Sequence, residues 1–296
     1  MNFKRIGNAD GAKWARGDRQ CGRWRCYNTT RDPSPSMDSS RILDTDMIQN
    51  TVHLLTAFLL FAVGTGQAAE FDAGQLNSQG QLLIDDHFDR LAVGKQWSTN
   101  DARALRTSGI EKSRFQSQAK IHDGTLQIRR TEGSDHGASV KTSAEFTDAV
   151  IQLRFRLTGE DTFGVNTNDP ECKTVHAGHI CRVEIGPKHV MIQDQKTGNM
   201  DNQYRKLRDE GASKEELEKR IAGKSIRRAT QIAADQWHDL RIVLRGDAIE
   251  VAVDGTMVGE FNSEGIAHSP KRNIAFAVPR AVDIDNLKLW SLPTKR

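Results

Sequence analysis

The chain has 296 residues and a formal net charge of +3, with 37% hydrophobic and 27% charged residues. The whole charge excess lies in residues 1–46, which hold nine Lys and Arg against six Asp and Glu, so the rest of the chain is electrically balanced. A balanced chain lacks the basic surface that nucleic-acid binding requires, and we expect no nucleic-acid partner.

Residues 1–46 show no apolar periodicity and contain the turn-rich stretch Pro-Ser-Pro-Ser at residues 33–36. This composition predicts a disordered N-terminal extension. Because it precedes an export signal, we interpret it as an over-called start, with translation beginning at Met37 or Met47.

Residues 47–69 carry the pattern of a secretory signal peptide. Residues 54–63 form an uncharged and mostly apolar run of ten, too short to cross a bilayer as a helix, and residues 64–69 are small and helix-breaking. We expect cleavage after Ala68 or Ala69 and a secreted, periplasmic or envelope-associated protein without a membrane span. A buried core helix is the alternative interpretation.

Residues 70–296 are long enough for a single β-sandwich domain. In residues 150–157, apolar side chains alternate with Gln152, Arg154 and Arg156, which predicts a strand with one face on a core. Further strands are predicted with turns between them at residues 82–88, 125–129, 181–185, 240–244, 249–253, 257–261, 273–278 and 282–290. About a dozen short strands with turn signals indicate an all-β sandwich of two antiparallel sheets.

Residues 201–228 interrupt the strand pattern with dense charge and sparse apolar positions. Ser213 and Glu216 have the spacing of a capping box, and Gly211 is placed to end a preceding helix. We predict a short helical insertion of two helices between strands.

Cys172 and Cys181 are nine positions apart. In an oxidising compartment, two such cysteines favour a disulfide. His176 and His179 lie between them, so zinc is an alternative, but the odd spacing places the histidines on opposite faces of a strand and matches no usual zinc pattern.

Several stretches resemble one family of secreted bacterial domains. They are Leu-Ile-Asp-Asp-His-Phe-Asp at residues 83–89, Trp97, Ile-His-Asp-Gly-Thr-Leu at residues 121–126, and Asp-Ile-Asp-Asn-Leu-Lys-Leu-Trp at residues 283–290. Their order and spacing are similar to the planctomycete-type 3-keto-disaccharide hydrolase, or family-sixteen-like, domains of the concanavalin A-like lectin/glucanase superfamily.

The resemblance implies a jelly-roll sandwich whose concave sheet faces carbohydrate, and hydrolysis of a glycosidic bond. The Glu-x-Asp-x-x-Glu strand of the retaining glucanases, whose carboxylates share one face, is absent. A noncatalytic glycan-binding module and an envelope adhesion domain therefore stay open beside the hydrolase.

The groove implied by this fold supplies the candidate site residues. The candidates for acid/base catalysis are Glu184, Asp194 and His179, and those for substrate binding are Arg154, Arg156, Arg182 and His176. A polar sheet face with cross-strand charge pairs is the alternative.

The ends of the domain supply a candidate cation site. In this fold the first and last strands often meet at a structural calcium ion, and Asp86, Asp283 and Asp285 are its candidate ligands, with Asp85 and Asp89 nearby. The alternative is that these carboxylates only discourage edge-to-edge association.

Overall fold

The computed structural model describes residues 80–293. The expected N-terminal extension and signal peptide lie outside these residues. Within them, no helix is both long and apolar enough to cross a membrane.

One sheet has eight strands, paired in the order β13-β12-β11-β6-β15-β4-β3, with β1 also pairing β15. Its strands are β1 (Gln81–Asp86), β3 (Ala119–His122), β4 (Thr125–Arg129), β6 (Asp148–Leu157), β11 (Trp237–Arg245), β12 (Ala248–Val253), β13 (Thr256–Asn262) and β15 (Ala281–Leu292).

The second sheet has seven strands, in the order β10-β9-β8-β7-β14-β5-β2. Its strands are β2 (Trp97–Thr99), β5 (Ala138–Phe146), β7 (Phe163–Asn168), β8 (His179–Gly186), β9 (His189–Asp194), β10 (Ser225–Ala229) and β14 (Lys271–Val278). Because the strands pair antiparallel within each sheet, the predicted all-β class of two antiparallel sheets is confirmed.

A single large apolar core lies between the sheets. Phe155 of the eight-stranded sheet packs on Phe163 of the seven-stranded sheet, with ring centroids 5.2 Å apart. Trp97 stacks on Phe276 at 5.9 Å. Each fully buried aromatic or Leu side chain contributes ~2 kcal/mol through removal of apolar area from water.

Tight turns fix the strand register. Gly246 has φ +60° and is the first residue of the predicted two-residue turn between β11 and β12, where a left-handed backbone is required. Asp254 and Gly255 both have positive φ and turn β12 into β13. The register set by these turns places the apolar side chains of each flanking strand on the core.

The described residues contain three α-helices, α1 (Asp101–Ser108), α2 (Asn202–Asp209) and α3 (Lys214–Arg220). Ser213 accepts a hydrogen bond from the Glu216 amide, as the predicted cap requires, and Gly211 follows α2 with φ +84°. The helical insertion is shorter than predicted, because residues from Ser225 onward form β10, which pairs with β9 at the sheet edge.

Candidate functional site

Strand β8 presents a polar face on the outside of the seven-stranded sheet. Cys181, Val183 and Ile185 are buried in the core, as predicted from their alternation. Arg182 and Glu184 therefore point to the outer face, where they form an ion pair of 2.5 Å.

The neighbouring strand β7 continues this face. Asn166 is the cross-strand partner of Arg182, and Gly164 that of Glu184. A Cβ atom on Gly164 would lie 2.6 Å from the Arg182 Nε atom. The glycine therefore allows the arginine side chain to lie flat across β7.

A β-bulge at the start of β8 directs His179 onto the same face. Thr167 pairs with Cys181 and Asn168 with His179, which leaves Ile180 as an extra residue in β8. Because Thr167 and Asn168 point to opposite sides of β7, their partners do too. Cys181 faces the core and His179 the outer face, although only two positions separate them.

The two histidines lie together, contrary to the expectation that a strand would place them on opposite faces, because His176 is not in a strand. A short 3₁₀ turn over His176–Gly178, with Ala177 at φ +53°, precedes the bulge. The rings of His176 and His179 stack with centroids 6.4 Å apart.

Both histidines are held in the neutral form at neutral pH. Burial, followed by the charges of His176, Arg182 and Arg205, lowers the pKa of His179 to about 4. Burial and then Arg205 and Arg208 lower the pKa of His176 below its ordinary value. A neutral imidazole can accept a proton or a hydrogen bond.

Glu184 is held by partners on two sides. Besides the Arg182 pair, its Oε1 atom lies 3.2 Å from His189 Nε2, and Arg227 lies 2.9 Å from His189 Nδ1. Because a guanidinium only donates hydrogen bonds, Nδ1 is the acceptor, and Nε2–H donates to Glu184. Glu184 is thus an oriented carboxylate at the site.

Unsatisfied polar atoms concentrate at the His179 end of this face. Buried polar groups are normally hydrogen-bonded, so a cluster without partners marks a place where a ligand can supply them. Six of the buried atoms without a hydrogen-bond partner in residues 80–293 belong to this end, namely Asn166 Oδ1, Asn168 Oδ1, His179 Nδ1, Arg182 Nε, Gln195 Oε1 and Asn199 Oδ1. Thr230 Oγ1 and Trp290 Nε1 are also without a partner but lie elsewhere in the domain.

Asp194 does not reach this face, contrary to its prediction as a catalytic candidate. It pairs with the core-facing Cys181 and is 1% exposed. Its oxygens accept hydrogen bonds from Thr197 N and Oγ1, Ser263 Oγ and Gly265 N. Asp194 therefore holds two loops together.

Arg154 and Arg156 point outward as predicted, but from the eight-stranded sheet. Their guanidinium carbons lie 5.2 Å and 5.0 Å from the Trp237 ring centre. The predicted common groove with Arg182 and His176 is therefore wrong, because the sandwich core separates the two outer faces.

The three candidate calcium ligands have other partners. Asp86 accepts from Arg90, Trp97 Nε1 and the Phe88 amide. Asp283 is clamped by Arg129 and Arg156, and Asp285 accepts from the amide of Asn286. Within residues 80–293, no group of three or more His, Cys, Asp or Glu is placed to hold a metal, so neither the calcium set nor the alternative zinc set is assembled.

Cys172 and Cys181 are free thiols, so the predicted disulfide is wrong. Cys181 is buried beside the Thr167 hydroxyl at 2.9 Å, and Cys172 lies near the Thr174 hydroxyl at 3.3 Å. Cys181 lies inside the core, and Cys172 is partly buried against the same core without a bond between the two sulfur atoms.

Asn166, Asn168 and Gln195 belong to the site but were not predicted from the sequence. The two asparagines stand at alternate positions of β7, which begins Phe-Gly-Val, and this polar alternation could have identified an outer-face ligand pair. Gln195 lies after the end of β9 and is held by the hydrogen bond from its backbone amide to the Ile180 carbonyl of the bulge. No sequence pattern indicates this contact.

A family model described as "3-keto-alpha-glucoside-1,2-lyase-like domain" matches residues 89–289, more than half of the chain. The chain belongs to this family. Membership relates the domain to carbohydrate-active proteins and agrees with the resemblance found in the sequence. No curated protein sequence matches the chain.

Several solved structures are similar to the chain. The laminarinase from Rhodothermus marinus is 15% identical, with TM-score 0.50, over 72% of this chain and 98% of that chain. The endo-beta-1,3-glucanase from Pyrococcus furiosus is 19% identical, with TM-score 0.48, over 73% and 96%. The carbohydrate-binding module CBM66 from Bacillus subtilis is 12% identical, with TM-score 0.43, over 66% and 96%. At these identities the likeness concerns the fold alone.

Proposed function

We propose that this domain is an exported enzyme that cleaves the glycosidic bond of 3-keto glycosides on the outer face of its seven-stranded sheet. The observation that carries the proposal is the cluster of unpartnered buried polar atoms around His179, in a domain of the 3-keto-alpha-glucoside-1,2-lyase-like family. Export rests on the signal-peptide pattern of residues 47–69.

The chemistry is an elimination across C1 and C2 of the ketosugar. The ketone at C3 acidifies the C2–H bond, so a base can remove that proton. The electrons of the C2–H bond form a C1=C2 double bond, the C1–O bond breaks, and the leaving sugar departs with its oxygen and takes up a proton. Addition of water across the new double bond would make the overall reaction a hydrolysis.

His179 is the base in this proposal. Its imidazole is neutral above about pH 4, and its buried Nδ1 has no partner among the described residues. A base that needs no prior deprotonation suits proton abstraction beside a ketone.

Arg182 is placed to stabilise the charge that develops on the keto oxygen. Its Nε–H is buried and unpartnered, while its Nη2 atom donates to Glu184 Oε2. A donor fixed in advance stabilises an enolate oxygen without reorganisation. The side-chain amide oxygens of Asn166 and Asn168 can accept hydrogen bonds from sugar hydroxyls on the same face.

A second candidate is a noncatalytic glycan-binding module. On the outer faces of β7, β8 and β9, Glu184 is the single carboxylate, so the pair of carboxylates used in ordinary glycoside hydrolysis is lacking on these strands. The binding module predicts sugar binding without turnover.

Turnover decides between the two. The protein is incubated with 3-ketotrehalose and 3-ketosucrose, and with trehalose and sucrose as controls, and the release of free sugar is followed. We expect release from the 3-keto sugars alone, and its loss in His179→Gln but not in His122→Gln, a histidine on the other sheet. If the sugars bind but no free sugar is released from any of them, the enzymatic proposal fails and the binding module is favoured.

A further inference from the structure

Helix α2 forms a wall beside His176. Asp201 caps the helix by accepting from the amides of Gln203 and Tyr204. Asn202 ties it to the chain before the histidine turn, with its amide 3.0 Å from the Thr174 carbonyl and its Nδ2 2.8 Å from the Lys173 carbonyl. The wall is therefore fixed relative to the histidines.

The face of α2 that carries Asn202 also carries Arg205 and Arg208. Residues three apart are neighbours on a helix surface, so Arg205 lies next to the anchor on one side and next to Arg208 on the other. Arg205 lies close enough to influence both His176 and His179, and Arg208 close enough to influence His176.

Arg205 is half-buried, and its guanidinium makes no hydrogen bond or ion pair with any other residue in the range 80–293. Arg208 shares its charge with the adjacent Asp209 at 2.8 Å. A partly desolvated guanidinium without a partner is unfavourable by itself, and an oxyanion supplies what it lacks.

The charge on the opposite side of the histidines has the same sign. Arg182 contributes to lowering the pKa of His179, and the nearby carboxylate Glu184 is already paired with that arginine and with His189. The residues around the two histidines therefore carry an excess of positive charge, and the Arg182 Nε–H is without a partner.

We infer that this site takes an anionic sugar, whose carboxylate or sulfate group is bound by Arg205 and Arg208 of helix α2. The inference rests on the proposed function, since it names the substrate class of the same site. It places the oxyanion on the sugar unit that lies beside the helix, next to the reacting ring.

Binding measured on the full chain tests this inference. Calorimetric titrations at low salt compare glucose, glucuronate and glucose 6-sulfate. We expect the anionic sugars to bind more tightly than glucose by on the order of tenfold, which corresponds to one or two charge-assisted hydrogen bonds. The two anions distinguish a uronic acid from a sulfate ester.

Paired variants assign the preference to the helix face. Arg205→Gln with Arg208→Gln should bring the affinities for the anionic sugars to within about twofold of glucose and leave glucose binding unchanged. Lys206→Gln with Lys219→Gln removes the same charge from exposed helix positions and should retain the preference.

The inference is overturned if the wild-type protein binds none of the sugars, binds glucose as tightly as the anions, or keeps the preference in the arginine double variant. Anion preference without turnover of any 3-keto glycoside would instead retain the inference and refute the enzymatic proposal. The two failures are therefore separable.

Discussion

His179 owes its position to one extra residue, Ile180. The bulge turns the histidine onto the polar face while Cys181 stays in the core. Burial and nearby arginines then keep the imidazole neutral, with a pKa of about 4. The same residue thus has the orientation and the protonation state that a base at this site requires.

The His179→Gln variant tests that role. Glutamine has a similar size but cannot accept a proton at neutral pH, so kcat on a 3-keto glycoside should fall by about 100-fold or more. In the wild-type protein, kcat/KM should decline as the pH falls through about 4, where the imidazole becomes protonated. Steady-state rates from pH 3.5 to 8 measure both, and a full rate for the variant would contradict the assignment.

The low pKa also predicts a pH dependence of stability. His179 is protonated more readily in the unfolded chain, whose His pKa is about 6.5, than in the fold. The free energy of unfolding should therefore decrease as the pH falls from about 6.5 towards 4. Urea unfolding should show a smaller decrease over this window for His179→Gln, and equal decreases would be evidence against a buried neutral histidine.

Two features of the fold decide which site residues could be placed from the sequence. Alternation in β8 correctly turned Arg182 and Glu184 outward. Alternation shows whether a side chain points into the core or outward, but it does not show to which sheet the strand belongs. Arg154 and Arg156 were therefore assigned to the wrong outer face. A bulge changes the parity itself, so the common face of His176 and His179 could not be predicted.

At the scale of the element, the insertion determines what the site can recognise. Helix α2 is eight residues long, too short to be stable alone in water, and depends on its cap and its anchor to the sheet. Its orientation, and with it the position of Arg205, therefore follows from Asp201 and Asn202.

Removal of the cap should loosen the helix. Asp201→Ala loses two hydrogen bonds to backbone amides and should destabilise α2 by ~1 kcal/mol, which corresponds to about fivefold lower protection in hydrogen exchange. The preference for anionic sugars should weaken with it. Ser213→Ala, which removes the cap of α3, is the control, and an identical loss of preference in both variants would speak against a specific role for α2.

The helices of the insertion could be predicted because their caps are local signals. The strand that follows could not, because the charged stretch from Ser225 to Ala229 pairs with β9 at the sheet edge, where charged side chains are common. Its strand conformation comes from this long-range pairing and not from its own composition.

At the scale of the whole molecule, the packing of the sandwich explains why Cys172 and Cys181 are not bonded to each other. Cys181 is 1% exposed inside the core, while Cys172 lies in the loop before the histidine turn. The two-sheet architecture was predicted from alternation and turns. The nine-residue spacing of the cysteines did not reveal that Cys181 would be buried in the core of that sandwich.

Thiol titration tests this arrangement. In protein that begins at residue 70, one thiol should react with a colorimetric disulfide reagent in the native state and two after denaturation, and dithiothreitol should leave Tm unchanged. A Tm lowered by dithiothreitol, with no reactive thiol before reduction, would show instead that the two cysteines form a disulfide. Cys172→Ser identifies the thiol that reacts.

The strand ends that were expected to hold calcium are stabilised by arginine. Asp86 is paired with Arg90, and Asp283 with Arg129 and Arg156. We therefore expect thermal unfolding with EDTA and with added calcium to give the same Tm within error. A Tm several degrees higher with calcium would contradict this view of the two ends of the domain.

The central claim is that the outer face of the seven-stranded sheet, around His179, is where a 3-keto glycoside binds and reacts. A crystal structure of the His179→Gln variant soaked with 3-ketotrehalose tests it most directly. We expect the keto sugar over Asn166, Arg182 and residue 179, with C2 facing that residue. A sugar bound instead on the eight-stranded sheet beside Arg154, Arg156 and Trp237 would contradict the claim.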